Sequence, residues 1–181
     1  MTRTVEEALA YLQDQSKDGQ PFEVGWCKRE TREAYQIPSD GSDSAAEAWE
    51  RCDFKHPTTN TAGIPRGAFC WWLGGSVHDG HVAISVGNGL CWTVDFHRDG
   101  RWDLAPIESI AQQWPSLRFV GWSEDIDGVR IDLTPAAQPR RHPDADKVLE
   151  IAHEHRDARL SGRRLKWRRI ARLARQLGGT L

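Results

Sequence analysis

Gly80-His81-Val82-Ala83-Ile84-Ser85-Val86-Gly87-Asn88-Gly89-Leu90-Cys91-Trp92-Thr93-Val94-Asp95-Phe96 is two apolar-rich runs, 81–86 and 90–96, hinged on Gly-Asn-Gly, the pattern of a β-hairpin. Val82, Ile84 and Val86 alternate with His81, Ala83 and Ser85, so a strand here sends its branched side chains to the core and His81 to the less apolar face. Register depends on the turn. A three-residue loop with Gly89 in the left-handed conformation pairs Val86 with Leu90 and sets Asp95 opposite His81. A two-residue Asn88-Gly89 turn slips the pairing by one, faces His81 with Phe96 and moves Asp95 to the other side. Gly-Asn-Gly permits either.

Outward from the hairpin the chain stays sheet-like. Ala68-Phe69-Cys70-Trp71-Trp72-Leu73 is a short apolar run between Pro65 and Gly74-Gly75, as in a buried strand. Residues 102–107 and 117–122 predict further strands around a short helix over 107–113, and 129–133 predicts a last strand. Before this block the period is helical. Thr4-Val5-Glu6-Glu7 has the form of a capping box and opens a helix over 4–15. Gly25-Trp26-Cys27 leads into a second helix that Ile37-Pro38 ends, and Ser44-Ala45-Ala46-Glu47 starts a third. The stretch from His56-Pro57 to Pro65 reads as loop. Helices first and an antiparallel sheet after them is an α+β arrangement.

Residues 1–133 therefore form one domain, with 134–143, which holds Pro135, Pro139 and Pro143, as a linker and 144–181 as a basic helical extension. The 181-residue chain has a net charge of −2, but residues 140–181 carry 12 Lys+Arg against 5 Asp+Glu, and the first 139 residues carry 12 against 21. Leu165, Ile170, Leu173 and Leu177 line one side of the extension, which predicts packing on the core, and arginines crowd the rest. That basic surface suits a polyanion such as an anionic wall polymer, a membrane face or nucleic acid. No apolar run approaches a membrane span, and Glu6 and Glu7 stand where a signal peptide needs a basic and then apolar stretch, so the chain is expected to be made in the cytoplasm. The four cysteines form no Cys-x-x-Cys pair, so neither a zinc ribbon nor a disulfide framework is suggested.

Each cysteine is then weighed by its place. Cys52 and Cys70, in an amphipathic helix and an apolar strand, read as core, and Cys91 in the hairpin is undecided. Cys27 opens a helix, where unpaired N–H groups favour a thiolate, and Lys28 and Arg29 stand beside it to add to the effect. A thiolate enzyme needs a histidine and a third group to orient the imidazole. His81 is the histidine that starts a strand, and Gly80 before it allows close approach. Asp95 is the favoured orienter, with Thr93, on the same face, as the alternative.

Gly25-Trp26-Cys27 opening a helix, Ile64-Pro65-Arg66-Gly67-Ala68-Phe69-Cys70-Trp71, and the Gly80 to Gly89 strand and turn together resemble the NlpC-type cell-wall hydrolases and their CHAP relatives, particularly versions found in actinobacterial phages. Val120-Gly121-Trp122-Ser123-Glu124 resembles the closing strand of such domains, and the resemblance covers residues 22–129. It implies a papain-like fold and cleavage of a peptide or amide bond in peptidoglycan, as in a phage lysin or a virion-associated enzyme. Cys27 would attack and His81 would serve as base and then acid. The NlpC pattern often has histidine near the place of Thr93, so here the third member passes to Asp95 or Thr93. No cofactor or metal is implied, and wall polymer rather than nucleic acid is the expected partner of the basic extension. A Cys27 and His81 ion pair predicts activity that falls at both pH extremes.

Two other readings fit parts of the pattern. One is a hydrolase-like domain without activity that docks through its basic tail. The other is a zinc hydrolase, with His78, Asp79 and His81 joined by His97, Asp99 or the His153-x-His155 pair, although the spacing is not a helical His-Glu-x-x-His. Nine tryptophans are many for this length, and Trp26, Trp71 or Trp72 would suit a substrate groove.

Overall fold

A computed structural model describes residues 2–133, so the linker over 134–143 and the basic helices expected after it lie outside the described residues. Three helices lead: α1 (Val5–Asp18), α2 (Cys27–Ala34) and α3 (Ala45–Arg51). Strands β1 (Lys55–Pro57), β2 (Phe69–Gly74), β3 (His81–Gly87), β4 (Leu90–Val94) and β5 (Trp102–Pro106) follow, then α4 (Ile107–Gln113) and β6 (Leu117–Ser123). A separate two-stranded ribbon, β7 (Asp125–Ile126) with β8 (Val129–Arg130), stands where the last strand was expected over 129–133. The fold is α+β, and the main sheet runs β1-β6-β2-β3-β4-β5 with every neighbouring pair antiparallel.

Local chemistry accounts for the helix starts. Thr4 caps α1, with its hydroxyl receiving the Glu7 N–H while the Glu7 carboxylate accepts the Thr4 N–H at 2.9 Å, closing both halves of the capping box. Ser44 accepts the Glu47 N–H at 3.1 Å, but the Glu47 carboxylate reaches Asp43 N–H at 2.8 Å instead of its own cap. β1 overlaps the start of the stretch read as loop; three residues, on the edge of the sheet against β6, are too short a pairing to leave an alternation to detect.

The sheet separates two apolar layers. Phe69, Trp71, Val82 and Ile84 pack with α1, α2 and α3, whereas Cys70, Trp72, Ala83, Cys91 and Ala105 pack with Ile107 and Ile110 of α4. Cys91 is thus a core residue, and Trp71 and Trp72, both 0 % exposed, belong to the interior and do not line an open groove. No described helix is long and apolar enough to cross a membrane.

Candidate active site

The β3–β4 hairpin combines both turn alternatives. Gly87 pairs with Leu90 across Asn88 and Gly89, whose φ values of 55° and 74° suit a two-residue turn. Val86 is then bulged out, and Ser85 pairs with Cys91 and Ile84 with Trp92, so the bulge restores the register of the longer loop. Thr93 accordingly lies on the His81 side of the sheet, diagonal to it. Its Oγ1 and His81 Nε2 share a hydrogen bond of 2.7 Å.

Asp95 does not join them. β4 ends at Val94, and Asp95 turns off the strand with φ of 60°. One carboxylate oxygen accepts the Gly100 N–H at 2.7 Å and the other accepts the Gly25 N–H at 3.0 Å. Strand alternation alone placed Asp95 opposite His81; the left-handed backbone at the strand end swings its carboxylate to the loop before Cys27.

Ladder pairing between β3 and β4 stops at Ile84 and Trp92, two residues short of Val82. Ser85 exchanges hydrogen bonds with Ala68 and Gly67 on the β2 side, so by alternation the Val82 N–H is directed toward β4. That N–H and the N–H of Lys28 both act on the Cys27 thiol in the direction that lowers its pKa. Gly25, at φ of 88°, turns the chain into α2, and α2 packs across β3 and the end of β4, which carries Cys27 to the chain neighbour of His81.

Burial dominates the electrostatics of both groups. Cys27 is 8 % exposed, and loss of solvent pushes its thiol up to about 11 despite the two N–H groups, with the Asp95 and Asp79 charges adding to the rise. The helix start was expected to favour thiolate; here desolvation outweighs it. Lys28 does not help, because its ammonium is buried away from the sulfur on Asp127 at 2.9 Å and on the Ser42 carbonyl at 2.8 Å. Arg29 lies over the Trp26 ring at 4.1 Å and pairs with Glu30 at 2.8 Å. His81 is 7 % exposed and burial lowers its pKa to about 4. Its ring stands 5.7 Å from Trp72 and 5.3 Å from Trp114, aromatic walls that keep water away. The pair therefore rests as neutral thiol and neutral imidazole at pH 7.

Gly80 makes the entry to β3 possible. A Cβ there would stand 2.6 Å from the Trp72 carbonyl oxygen and 3.2 Å from Ala46 N, and φ is 70°. The Ala46 N–H bonds the Asp79 carbonyl at 2.8 Å, so α3 begins directly against this turn. Trp26, next to Cys27, is 42 % exposed. Among the described residues, no three His, Cys, Asp or Glu side chains are grouped to hold a metal ion, and His153 and His155 lie outside them. Trp114 and Asp127 carried no signal in the sequence, and Lys28 was read there only as a neighbour of Cys27, since each acts through a partner distant along the chain. No protein-family model matches this chain, and no curated protein matches it.

Proposed function

We propose that this chain is a cysteine hydrolase of the papain-like, NlpC/CHAP kind that cleaves a peptide or amide bond in bacterial peptidoglycan. The observation that carries the thiol chemistry is Cys27 at the first position of α2, which packs on the strand that His81 opens, with the His81 ring held by Thr93 at 2.7 Å. The substrate class rests on the resemblance of the Gly25 to Cys27 and Gly80 to Gly89 segments to those families.

In this reading the Cys27 thiol attacks the scissile carbonyl carbon as its proton passes to His81. The S–C bond forms, the imidazolium returns the proton to the leaving amine, and the C–N bond breaks. Water, with His81 now as base, then releases the acid and restores the thiol. With Nε2 engaged by Thr93, Nδ1 is the ring nitrogen left to take the thiol proton. That requires Nε2 to carry the ring hydrogen and the Thr93 oxygen to accept it, and the hydroxyl hydrogen can then turn to the Val94 carbonyl, 3.5 Å away. N–H groups of the first turn of α2 suit the oxyanion. A neutral resting pair places the proton transfer at the moment of attack. Trp26, exposed beside Cys27, is the side chain assigned to substrate contact.

The near-complete burial of Cys27 and His81 favours one competing reading, a domain of this shape that binds wall material without cutting it. Digestion of purified peptidoglycan by the wild type and by Cys27→Ala, with fragments identified by mass spectrometry, separates the two. New amine and carboxyl ends from the wild type alone support the hydrolase. Absence of release by both, with wall binding retained, supports the binding module, and equal release by both removes Cys27 from the chemistry.

A further inference from the structure

The segment that ends in Cys27 is docked on the loop that follows β4. Phe22 N–H donates to the Gly100 carbonyl at 3.1 Å, Gly25 N–H donates to Asp95 at 3.0 Å, and Arg101 donates to the Gly19 carbonyl. The fit is close: a Cβ on Gly100 would lie 2.2 Å from the Phe22 carbonyl oxygen. Phe22 also meets Trp102 edge to face with ring centroids 6.4 Å apart. Asp95 is the pivot, because its carboxylate accepts the loop's own Gly100 N–H at 2.7 Å and its backbone N–H donates to the Arg101 carbonyl at 3.1 Å. Two residues earlier, within β4, Thr93 holds His81.

We propose that Asp95 is a positioning residue for Cys27: by receiving the Gly25 and Gly100 N–H groups it registers the nucleophile's segment on the strand end whose Thr93 holds His81. One short stretch, residues 93–95, then sets both reacting groups, Thr93 holding the imidazole and Asp95 the segment that ends in Cys27. This rests on the hydrolase reading for its purpose, although the placement itself is readable without substrate. The geometry reassigns Asp95 from a partner of the imidazole to a partner of the nucleophile's loop. A carboxylate suits that task because it offers two acceptor oxygens to two N–H donors, where an amide offers one.

The test uses the full chain and no wall substrate. Amide hydrogen exchange at Gly25 and Gly100, iodoacetamide alkylation of Cys27 against pH, and the NMR titration of the His81 ring are measured in Asp95→Ala, Asp95→Asn and Thr93→Val. Asp95 and Asp79 are the charges acting on the Cys27 sulfur, and both hold the thiol protonated. Asp95→Ala should therefore move the alkylation profile to lower pH and speed exchange at Gly25 at least about tenfold, the loss of one charge-assisted bond. It should leave the His81 titration in place. Asp95→Asn should give intermediate exchange, and it carries the same test should the alanine variant fail to fold. Thr93→Val should do the reverse, moving His81 and sparing Gly25. Unchanged Gly25 exchange in both Asp95 variants, or a His81 titration that moves with Asp95, overturns the proposal. Failure to digest peptidoglycan, with these shifts present, would count against the substrate reading alone.

Discussion

Thr93 and His81 are joined through a 2.7 Å bond between hydroxyl and Nε2, and both residues are buried. A hydroxyl orients an imidazole without a charge, so it fixes the ring while stabilising an imidazolium less than a carboxylate does. That agrees with a His81 kept neutral by burial.

Thr93→Val keeps the shape and removes the bond. It leaves Nε2 unsatisfied in the interior, which costs about 1–3 kcal/mol of stability. Turnover should fall about tenfold or more with KM little changed, since the loss lies in ring orientation. Thr93→Ser should recover most of both. Urea unfolding and steady-state kinetics on the three proteins check this; equal turnover by wild type and Thr93→Val would remove Thr93 from the site.

Stability should respond to pH through His81 and Cys27. His81 is held down to about 4 from an ordinary 6.5, so the unfolded chain takes up its proton first. Its contribution is complete above pH 6.5 and is lost as pH falls from 6.5 through 4, a loss of about 3 kcal/mol. Cys27, raised to about 11 from 9.0, contributes fully below pH 9 and loses that contribution as pH rises toward 11. Urea midpoints at pH 7, 5 and 4 should drop steeply for the wild type and much less for His81→Gln. Alkylation of Cys27 should keep climbing above pH 9, and a plateau at neutral pH would mean that a thiolate–imidazolium pair persists at rest.

The Lys28 ammonium and the Asp127 carboxylate form a buried ion pair at 2.9 Å that ties the helix opened by Cys27 to the β7–β8 turn. Asp40 lies 3.7 Å from the same ammonium, and Arg32 lies 3.9 Å from Asp127. Asp127→Asn keeps a residue type that tolerates the φ of 51° at this position and removes the charge. It should cost about 3 kcal/mol, because an interior ammonium loses its nearest counter-charge. Adding Lys28→Met should restore part of that loss, and additive losses in the double variant would show the two groups to be uncoupled.

Gly80→Ala and Gly128→Ala make a paired comparison. Both glycines have positive φ, 70° and 75°, but a Cβ at Gly128 meets nothing within 4 Å while one at Gly80 meets the Trp72 carbonyl and Ala46 N. Gly128→Ala should cost only the left-handed penalty, about 1–2 kcal/mol. Gly80→Ala should cost clearly more and should also shift the His81 ring resonances, because the turn that feeds His81 must move. Denaturant unfolding and NMR spectra decide it, and equal costs would mean that the contact at Gly80 relaxes freely.

Much of the fold was legible in local patterns. Thr4 with Glu7, Ser44 with Glu47, and the alternation from His81 to Val86 specify helix starts and a strand through interactions within a few residues. The same holds for Cys27 at a helix start, whereas His81 and Thr93 share a face only in the register that the bulge at Val86 selects. What followed from the tertiary structure alone was the end of β4. Alternation cannot see that Asp95 adopts a left-handed backbone, because the Gly25 and Gly100 N–H groups that reward it come from a distant segment and from the far side of a loop. Nor can composition show whether a helix-start cysteine is exposed, so the sequence favoured thiolate at Cys27 whereas packing under β3 and β4 leaves a protonated thiol. Lys28 followed the same rule: beside Cys27 in sequence, it pairs with Asp127 because a buried charge needs a counter-charge. Short-range hydrogen bonds and periodicity are written in neighbouring residues; desolvation and long-range pairing exist only once the chain has folded.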